Sequence, residues 1–435
     1  MGARTEPLPA PWHLYGLASS PYADRPCPTT REIVGRDADV RALRSRIHEA
    51  GRTSSLQCAV GPAGIGRTTL VRALKAALIA DGFLAADVRA VIAPGDGIEA
   101  VLGRVLGALF DTLLTSRPQA ASHPAMRDAA RLVLAARLGA PEETGSEHDP
   151  LARFRAERRR RTPALRDVAL IDDGPDAIAA LANLVSYDGD RGVVLHLHAE
   201  EHAAIAHRTA TEDVLHALHG PMLGAAGLHF VLTGTPDTVG ALLGTETHAR
   251  SAPAMHVVPP LPLDAVHELL ERRYARARLA TDRPALPPAA GDVVASLYGL
   301  FRGDLRGLLA ALHDGVTPLL GLAGSGGDAA ERAGAATPPA ITWHEIRPML
   351  QVHYAARLAT LSEKHRVRQL TLWGMSAPAA VHTQRSLKKF WNVSQAAVSY
   401  ALTHLTQAGY VLASPSRPGE ATEYVLSGTS RLIFD

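Results

Sequence analysis

Residues 61–69 read Gly61-Pro62-Ala63-Gly64-Ile65-Gly66-Arg67-Thr68-Thr69. They meet the phosphate-loop pattern G-x-x-x-x-G-K-[ST] everywhere except at the lysine, which is Arg67. The preceding Leu56-Gln57-Cys58-Ala59-Val60 suits a short buried strand. Beyond the loop, Leu70, Val71, Leu74, Ala77 and Leu78 recur at helical spacing. The glycines therefore fall in a strand-to-helix turn, and a chain built on such a turn is constrained to an α/β layout. Gly61, Gly64 and Gly66 would let backbone N–H groups converge on a phosphate, helped by the helix dipole. Thr68 and Thr69 follow, and Thr68 would offer its hydroxyl to Mg²⁺. Arg67 keeps the positive charge, but a planar guanidinium cannot nest as a compact ammonium does. A glycine turn without a ligand is the plain alternative.

The 435 residues suggest two or three domains, and 46% hydrophobic residues allow sizeable cores. The formal charge of +2 gives no overall bias toward nucleic acid or membrane. Only Cys27 and Cys58 occur, and Cys58 lies in the expected buried strand, so a structural disulfide is not expected and a reducing cytoplasm fits. No signal-peptide layout and no apolar run of about 18 residues is present, so a membrane span is not expected.

Along the chain, residues 1–30 are Pro-rich and read as a strap. Val34-Gly35-Arg36 leads into a helix through Leu43 and Ile47. After the loop, 86–92 reads as a strand and 98–114 as a helix. The arginines at Arg153, Arg155 and Arg158 to Arg161 read as a solvated helix face, with a phosphate-contacting patch as the minor alternative. Strand-like runs follow at 168–171, 192–197, 228–232 and 255–258, with helical segments at 177–185 and 212–218. Residues 264–312 are helical, and 321–340, rich in glycine and proline, read as a flexible linker. The resulting division is strap 1–30, core 31–262, helical lid 263–320, linker 321–340 and a small domain 341–435. Alternating strands and helices imply a parallel, helix-covered sheet.

A nucleotide-hydrolysing site needs an acid at the tip of a neighbouring strand. Two segments compete. Val168-Ala169-Leu170-Ile171-Asp172-Asp173 looks right as a string, with Asp172 and Asp173 as candidate catalytic acids. Val193-Val194-Leu195-His196-Leu197-His198-Ala199-Glu200-Glu201 looks degenerate, with His198 where an aspartate is expected and Glu200 as the candidate acid. The histidines His196, His198, His202 and His207 lack a completing cysteine or well-spaced carboxylate, so no metal site is assigned to them.

Across roughly 30–312 the chain resembles the origin-recognition/Cdc-type initiator clade of AAA+ ATPases. The resemblance is carried by the Val34-Gly35-Arg36 box, the loop, Thr233 and Thr235 in Val231-Leu232-Thr233-Gly234-Thr235, and Gly303-Asp304-Leu305-Arg306. It implies a P-loop AAA+ parallel sheet with helices on both faces, an α-helical lid, and ATP with Mg²⁺ as ligands. It also implies a nucleotide contact from Thr235, a lid arginine at Arg306 reaching the γ-phosphate, and an arginine finger at Arg250 for self-assembly. In such ATPases one helix separates the acidic strand from the strand bearing the polar tip. Counting back from Thr233 favours 193–198 over 168–172; if the earlier strand is correct, Asp172 and Asp173 restore the hydrolase reading. Tyr15-Gly16-Leu17 with Ser20-Pro21-Tyr22 also resembles the start of bacterial transposition and secretion AAA+ ATPases.

Residues 356–435 resemble a winged helix-turn-helix of the MarR kind. Gln384–Trp391 reads as one helix, Asn392-Val393-Ser394 as the turn and 395–408 as the second helix, capped by Ser394 and closed by Gly409. Its polar face carries Ser394, Gln395, Ser399, Tyr400 and His404, suited to base edges and phosphates. Arg385, Lys388 and Lys389 would contact backbone, and Arg417 at the wing tip a minor groove. From Ile341 onward ten lysines and arginines stand against five acids. The expectation is a cytoplasmic AAA+ switch on double-stranded DNA, with weak or absent ATP hydrolysis. The alternative is a non-hydrolysing regulator, or a defence or transposition subunit whose winged helix serves transcriptional control or protein partners.

Overall fold

The computed structural model describes residues 11–23, 33–93, 96–138, 170–187, 190–199, 224–243, 255–280, 284–325, 339–361, 364–414 and 421–434. The chain divides into two compact units. One comprises Arg36–Pro62 and Arg67–Val258; the other comprises Met1–Gly35, Ala63–Gly66 and Pro259–Asp435.

The first unit runs α1 (Asp37–Ala50), β1 (Ser55–Val60), α2 (Arg67–Ala80), β2 (Arg89–Ile92), α3 (Ile98–Ser116), α4 (Pro124–Leu138), α5 (Leu170–Tyr187), β3 (Val193–Ala199), β4 (Leu228–Gly234), α6 (Pro236–Leu243) and β5 (Met255–Val257). The strands form one five-stranded sheet in the order β2-β3-β4-β1-β5. Every pair is parallel, with Val60 opposite Gly234 and His198 opposite Thr233. This is the expected α/β class. From β1 the chain crosses to the far edge, β2, and then works back through β3 and β4 to β5 on the other side of β1. Crossovers in parallel sheets are right-handed, so reversing direction moves the helices to the opposite face. Hence α2, which packs with α1, covers one face, and α3, which packs with α4 and α5, covers the other.

Alternation along the strands gives the faces different chemistry. Toward α3 point Cys58 and Val60, Val193, Leu195 and Leu197, and Leu228, Phe230 and Leu232, all in one core with Leu106, Leu109 and Phe110. The opposite face carries Gln57, His196, His229 and Thr233, all buried. Each of these needs a partner, because an unpaired buried polar group costs about 1–3 kcal/mol. His229 Nδ1 lies 2.9 Å from Ser55 Oγ, and Phe83 meets the His229 ring edge-on. Lys75 of α2 is buried and donates from Nζ to the carbonyls of Ala86 (2.7 Å) and Val88 (2.9 Å). Burial pulls its ammonium down to about 8.

One expectation fails here. The run 168–171 is not a strand where it is described: Leu170 and Ile171 open α5, which carries Asp172 and Asp173 in helix rather than at a strand tip. The helical face is set by Ile178, Leu181, Ala182 and Val185, buried against α3 and α4. The expected helix at 212–218 lies outside the described residues.

The second unit starts with a short turn, Pro11–Tyr15, whose Trp12 and Tyr15, with Leu17 and Tyr22, are buried against α7 (Leu263–Ala277), α8 (Gly291–Leu300) and α9 (Leu305–Ser325). Ala18 N–H donates to Ala277 O at 2.7 Å, and Tyr22 Oη lies 3.1 Å from Tyr274 Oη. Because α9 continues to Ser325, the first five residues of the expected linker are helical; 326–338 lie outside the described residues. Then come α10 (Trp343–Ala359), α11 (Lys364–Ser376), β6 (His382–Thr383), α12 (Gln384–Trp391), α13 (Gln395–Gln407), β7 (Val411–Ser414), β8 (Glu423–Leu426) and α14 (Gly428–Phe434). β6, β8 and β7 form an antiparallel sheet in that order. Trp373, Leu387, Val398, Leu402 and Leu405 centre a separate core beneath it. No helix among the described residues is long and apolar enough to cross a membrane.

Burial pushes the His229 imidazole down to about 4 and the His196 imidazole well below its ordinary value of 6.5. Below about pH 6.5 the unfolded chain therefore binds protons that the folded chain refuses. Stability is complete above that pH and drains as the pH falls, for His229 down to about pH 4. Urea unfolding at pH 7 and pH 5 should show His229→Gln losing less stability than the wild type, by on the order of 2 kcal/mol. Equal losses in the two proteins would remove His229 as the cause.

Candidate functional site

The carboxyl ends of β1, β4 and β3 lie side by side, and the chain reverses direction between β1 and β4. In open parallel sheets, ligand crevices form outside the strand ends at such a reversal. The glycine loop leaves β1 here. Gly61 N–H donates to Gly234 O at 3.2 Å, tying the loop to the tip of β4. Gly64 and Gly66 have φ of +73° and +97°, which side chains with a Cβ rarely adopt. Arg67 opens α2 and is 7% exposed, and its Nη1 donates to Gly61 O at 2.7 Å. The guanidinium thus folds back onto the carbonyl that starts its own loop. Thr68 and Thr69 follow in the first turn, half-buried, and Thr235 stands just past β4 with its Oγ1 2.7 Å from Thr238 Oγ1.

The strand tips hold an imidazole–hydroxyl cluster. His196 Nε2 lies 2.9 Å and His198 Nδ1 3.0 Å from the same Thr233 Oγ1. A hydroxyl has one proton, so at least one imidazole donates its N–H to Thr233. His196 is held neutral first by burial, then by the nearby Lys75 ammonium, with His198, Arg89 and Arg72 adding to the effect. The i, i+2 spacing of the two histidines puts them on one face of β3; their shared partner becomes visible only through the pairing of β3 with β4. Lys75 gave no sequence signal, being one of three basic residues of α2, with Arg67 and Arg72.

Mg²⁺ is the metal that the resemblance implies, and the donor set is a test of it. Mg²⁺ takes oxygen ligands, above all carboxylates and phosphates, in octahedral geometry. β1, β3 and β4 contain no Asp or Glu. The position facing Thr233 is His198, and the charged groups acting on the adjacent His196 are cationic. Asp173 is exposed on α5. Asp237, in the first turn of α6, is exposed too. Among the described residues no cluster of three His, Cys, Asp or Glu could hold a metal. The cluster at the strand tips does not fit Mg²⁺. Glu200 and Arg250 lie outside the described residues.

Within the second unit, Gly303-Asp304-Leu305-Arg306 builds the start of α9. Gly303 turns with φ +85°, and Asp304 Oδ1 accepts from the N–H groups of Arg306 (2.9 Å) and Gly307 (3.0 Å). Asp304 is therefore the N-cap, its charge favourable at the helix start. The same carboxylate presses on the glycine loop: a Cβ placed on Gly64 would sit 1.6 Å from Asp304 Oδ1. Arg306 is exposed in the first turn.

The second candidate site is α12, its turn and α13. Thr383 caps α12 in a reciprocal pair with Ser386, and Asn392 ends it in the left-handed conformation. Ser394 caps α13 by accepting from Ala397 N–H at 3.2 Å, and Gly409, at φ +77°, closes it. Val398, Ala401, Leu402 and Leu405 are buried. Gln395, Ser399 and Tyr400 are exposed and His404 half-buried. Tyr400 is fixed from two sides. His404 meets it edge-on at 4.5 Å, and the Arg366 guanidinium lies 4.7 Å from the ring centre. Arg385, Lys388 and Lys389 are exposed on α12. β7 and β8 pair with Val411 opposite Leu426 and Ser414 opposite Glu423; Arg417 lies outside the described residues.

No family model matches the chain, and no curated protein matches it by sequence. Among solved structures it is similar to the Aeropyrum pernix ORC2 protein in its ADP form, at 16% identity and TM-score 0.47, covering 95% of each chain. It is also similar to the Aeropyrum pernix ORC1 protein in complex with DNA, at 14% identity and TM-score 0.41, covering 92% of each. A third is Cdc6p from Pyrobaculum aerophilum, at 14% identity and TM-score 0.41, covering 95% of this chain and 97% of that one. These scores describe loose overlays, and the α/β architecture rests on the strand order and register given above.

Proposed function

We propose that this chain is an AAA+-type switch that binds ATP at the glycine loop, hydrolyses it weakly or not at all, and binds duplex DNA through a C-terminal winged helix. The observation that carries the nucleotide reading is the loop itself. It leaves the strand where the sheet reverses direction, with two glycines at positive φ, and runs straight into a helix N-terminus. That arrangement presents backbone N–H groups and a dipole to an anion. Weak turnover is supported by the strand tips, which bear His198 and Thr233 in place of an acid. Arg306 is proposed as the lid residue that contacts the nucleotide, with Asp304 fixing the turn it stands on. Arg250 is proposed as the residue linking one copy to the next.

The DNA reading is supported by α13. It exposes Gln395, Ser399 and Tyr400 on one face beyond a tight turn, while α12 exposes three cations beside it. A helix presented this way suits a major groove, with α12 and the hairpin set to touch phosphates.

A fluorescent ATP analogue should bind the purified protein while phosphate release stays at background, with or without duplex. Gly64→Ala should weaken that binding by about tenfold, because a Cβ is strained at positive φ and meets the Asp304 carboxylate. Robust DNA-stimulated turnover by the wild type would overturn the weak-hydrolysis reading. Duplex affinity should fall with salt, and the slope of log affinity against log salt should shrink by about two in Lys388→Ala/Lys389→Ala. An unchanged slope would remove α12 from the DNA contact and favour a protein-binding role for this domain.

A further inference from the structure

We propose that the loop takes its nucleotide as the metal-free anion, with Arg67 and the His198–Thr233 pair occupying the place of a metal and its carboxylate. This rests on the nucleotide-binding reading above and narrows its chemistry. A triphosphate brings about four negative charges, which a site must meet with cations, N–H dipoles or a bound metal. A metal is held by anionic oxygens, and a strand tip that carries one gains by recruiting a dication. Here the balance is reversed. The three strands that end at the loop contain no acid, and the tip beside β4 presents an imidazole anchored to a buried hydroxyl at 3.0 Å. Behind it lie buried His196 and the buried Lys75, itself satisfied by two carbonyls. Arg67 places a second cation inside the loop, where it bonds the Gly61 carbonyl. A dication entering this cluster would meet Lys75, Arg67 and two imidazoles with no described carboxylate to offset them. With His196 Nε2–H donating to Thr233 Oγ1 and Thr233 O–H donating to His198 Nδ1, His198 keeps its N–H on Nε2, and a phosphate oxygen would meet that donor and the Arg67 guanidinium.

The cluster is not a structural leftover of an apolar core. On the α3 side of the same strands every alternate residue is apolar, so β3 could have been apolar on both faces, as buried parallel strands commonly are. The polar residues are confined to one face, and at the carboxyl ends of these strands His198 is the polar residue that is partly exposed, while Thr233 is buried.

The test is equilibrium binding of a fluorescent ATP analogue to the full chain, read by anisotropy, in excess EDTA and in excess Mg²⁺. The dissociation constants should agree within about twofold, and His198→Asp should bind more tightly with Mg²⁺ than with EDTA by about tenfold. Wild-type binding that needs Mg²⁺ overturns the inference and leaves the nucleotide reading standing. If Glu200→Ala then abolishes that need, the metal is held by the acid that follows β3. Absence of binding in both buffers overturns the nucleotide reading and the inference with it. Circular dichroism melting shows whether His198→Asp folds; if it does not, the wild-type comparison decides alone.

Discussion

The register between β3 and β4 is the constraint on which the rest of the first unit depends. With His198 opposite Thr233, the alternate apolar residues Val193, Leu195, Leu197, Leu228, Phe230 and Leu232 face α3, and the polar residues of both strands face α2 alongside Val194 and Val231. A slip of one residue would exchange the faces. A slip of β3 would drive His196 and His198 into the apolar face toward α3 and part them from Thr233, leaving buried polar groups unsatisfied. The three-way contact on Thr233 is what holds the register from the polar side. It pairs two of the four buried polar side chains on that face, His196 and Thr233, while His229 is paired with Ser55.

The same pairing positions the loop. Because β1 lies between β4 and β5, its tip meets the tip of β4, and Gly61 is tied to Gly234. The loop must then turn within a few residues into α2, which needs Gly64 and Gly66 in the left-handed region. Gly64 has a second reason to be glycine, since the Asp304 carboxylate lies against its Cα. One aspartate therefore caps α9 and packs on the loop tip. Under the proposed function, the residue that shapes the start of the lid helix is also placed to register what the loop holds.

Much of this was legible in sequence, for physical reasons that differ by region. The loop was readable because few other contexts require Gly at those spacings before a helical run. The helix-turn-helix was readable because caps are local: Ser394, Gly409 and the buried face of Val398, Ala401, Leu402 and Leu405 each act within a turn of their own position. The run ending at Asp172 and Asp173 misled because four apolar residues fit a strand or a buried helix equally well. Pro175 lies inside α5. The choice of 193–198 as the inner strand came from counting elements, and the strand order agrees with it. What could not be read was long-range: the shared Thr233 contact, the burial of Lys75, the His256–Asp39 bond at 2.9 Å and the packing of Asp304 on Gly64 all join residues distant in sequence.

Under the proposed function, the two departures from the expected nucleotide motifs, Arg67 and His198, are better understood together than apart. Replacing an ammonium by a guanidinium costs the loop its compact point charge but adds reach, and the arginine uses that reach on the Gly61 carbonyl. Replacing a strand-tip acid by histidine removes a ligand for a dication and supplies a donor instead. Either change alone would leave the site mismatched: arginine beside a metal-holding carboxylate would compete with the metal for it, and histidine beside a lysine loop would lack the extra cation that stands in for the metal. Paired, under the proposed reading, they would shift the site's positive charge from a dissociable ion to fixed side chains. Fixed charges neutralise a ground-state phosphate well, but nothing in the described cluster orients water or follows charge as it moves to a leaving group. Under the proposed function, such a site is suited to holding a nucleotide rather than spending it, which fits the proposal that the C-terminal helices form a separate surface for DNA.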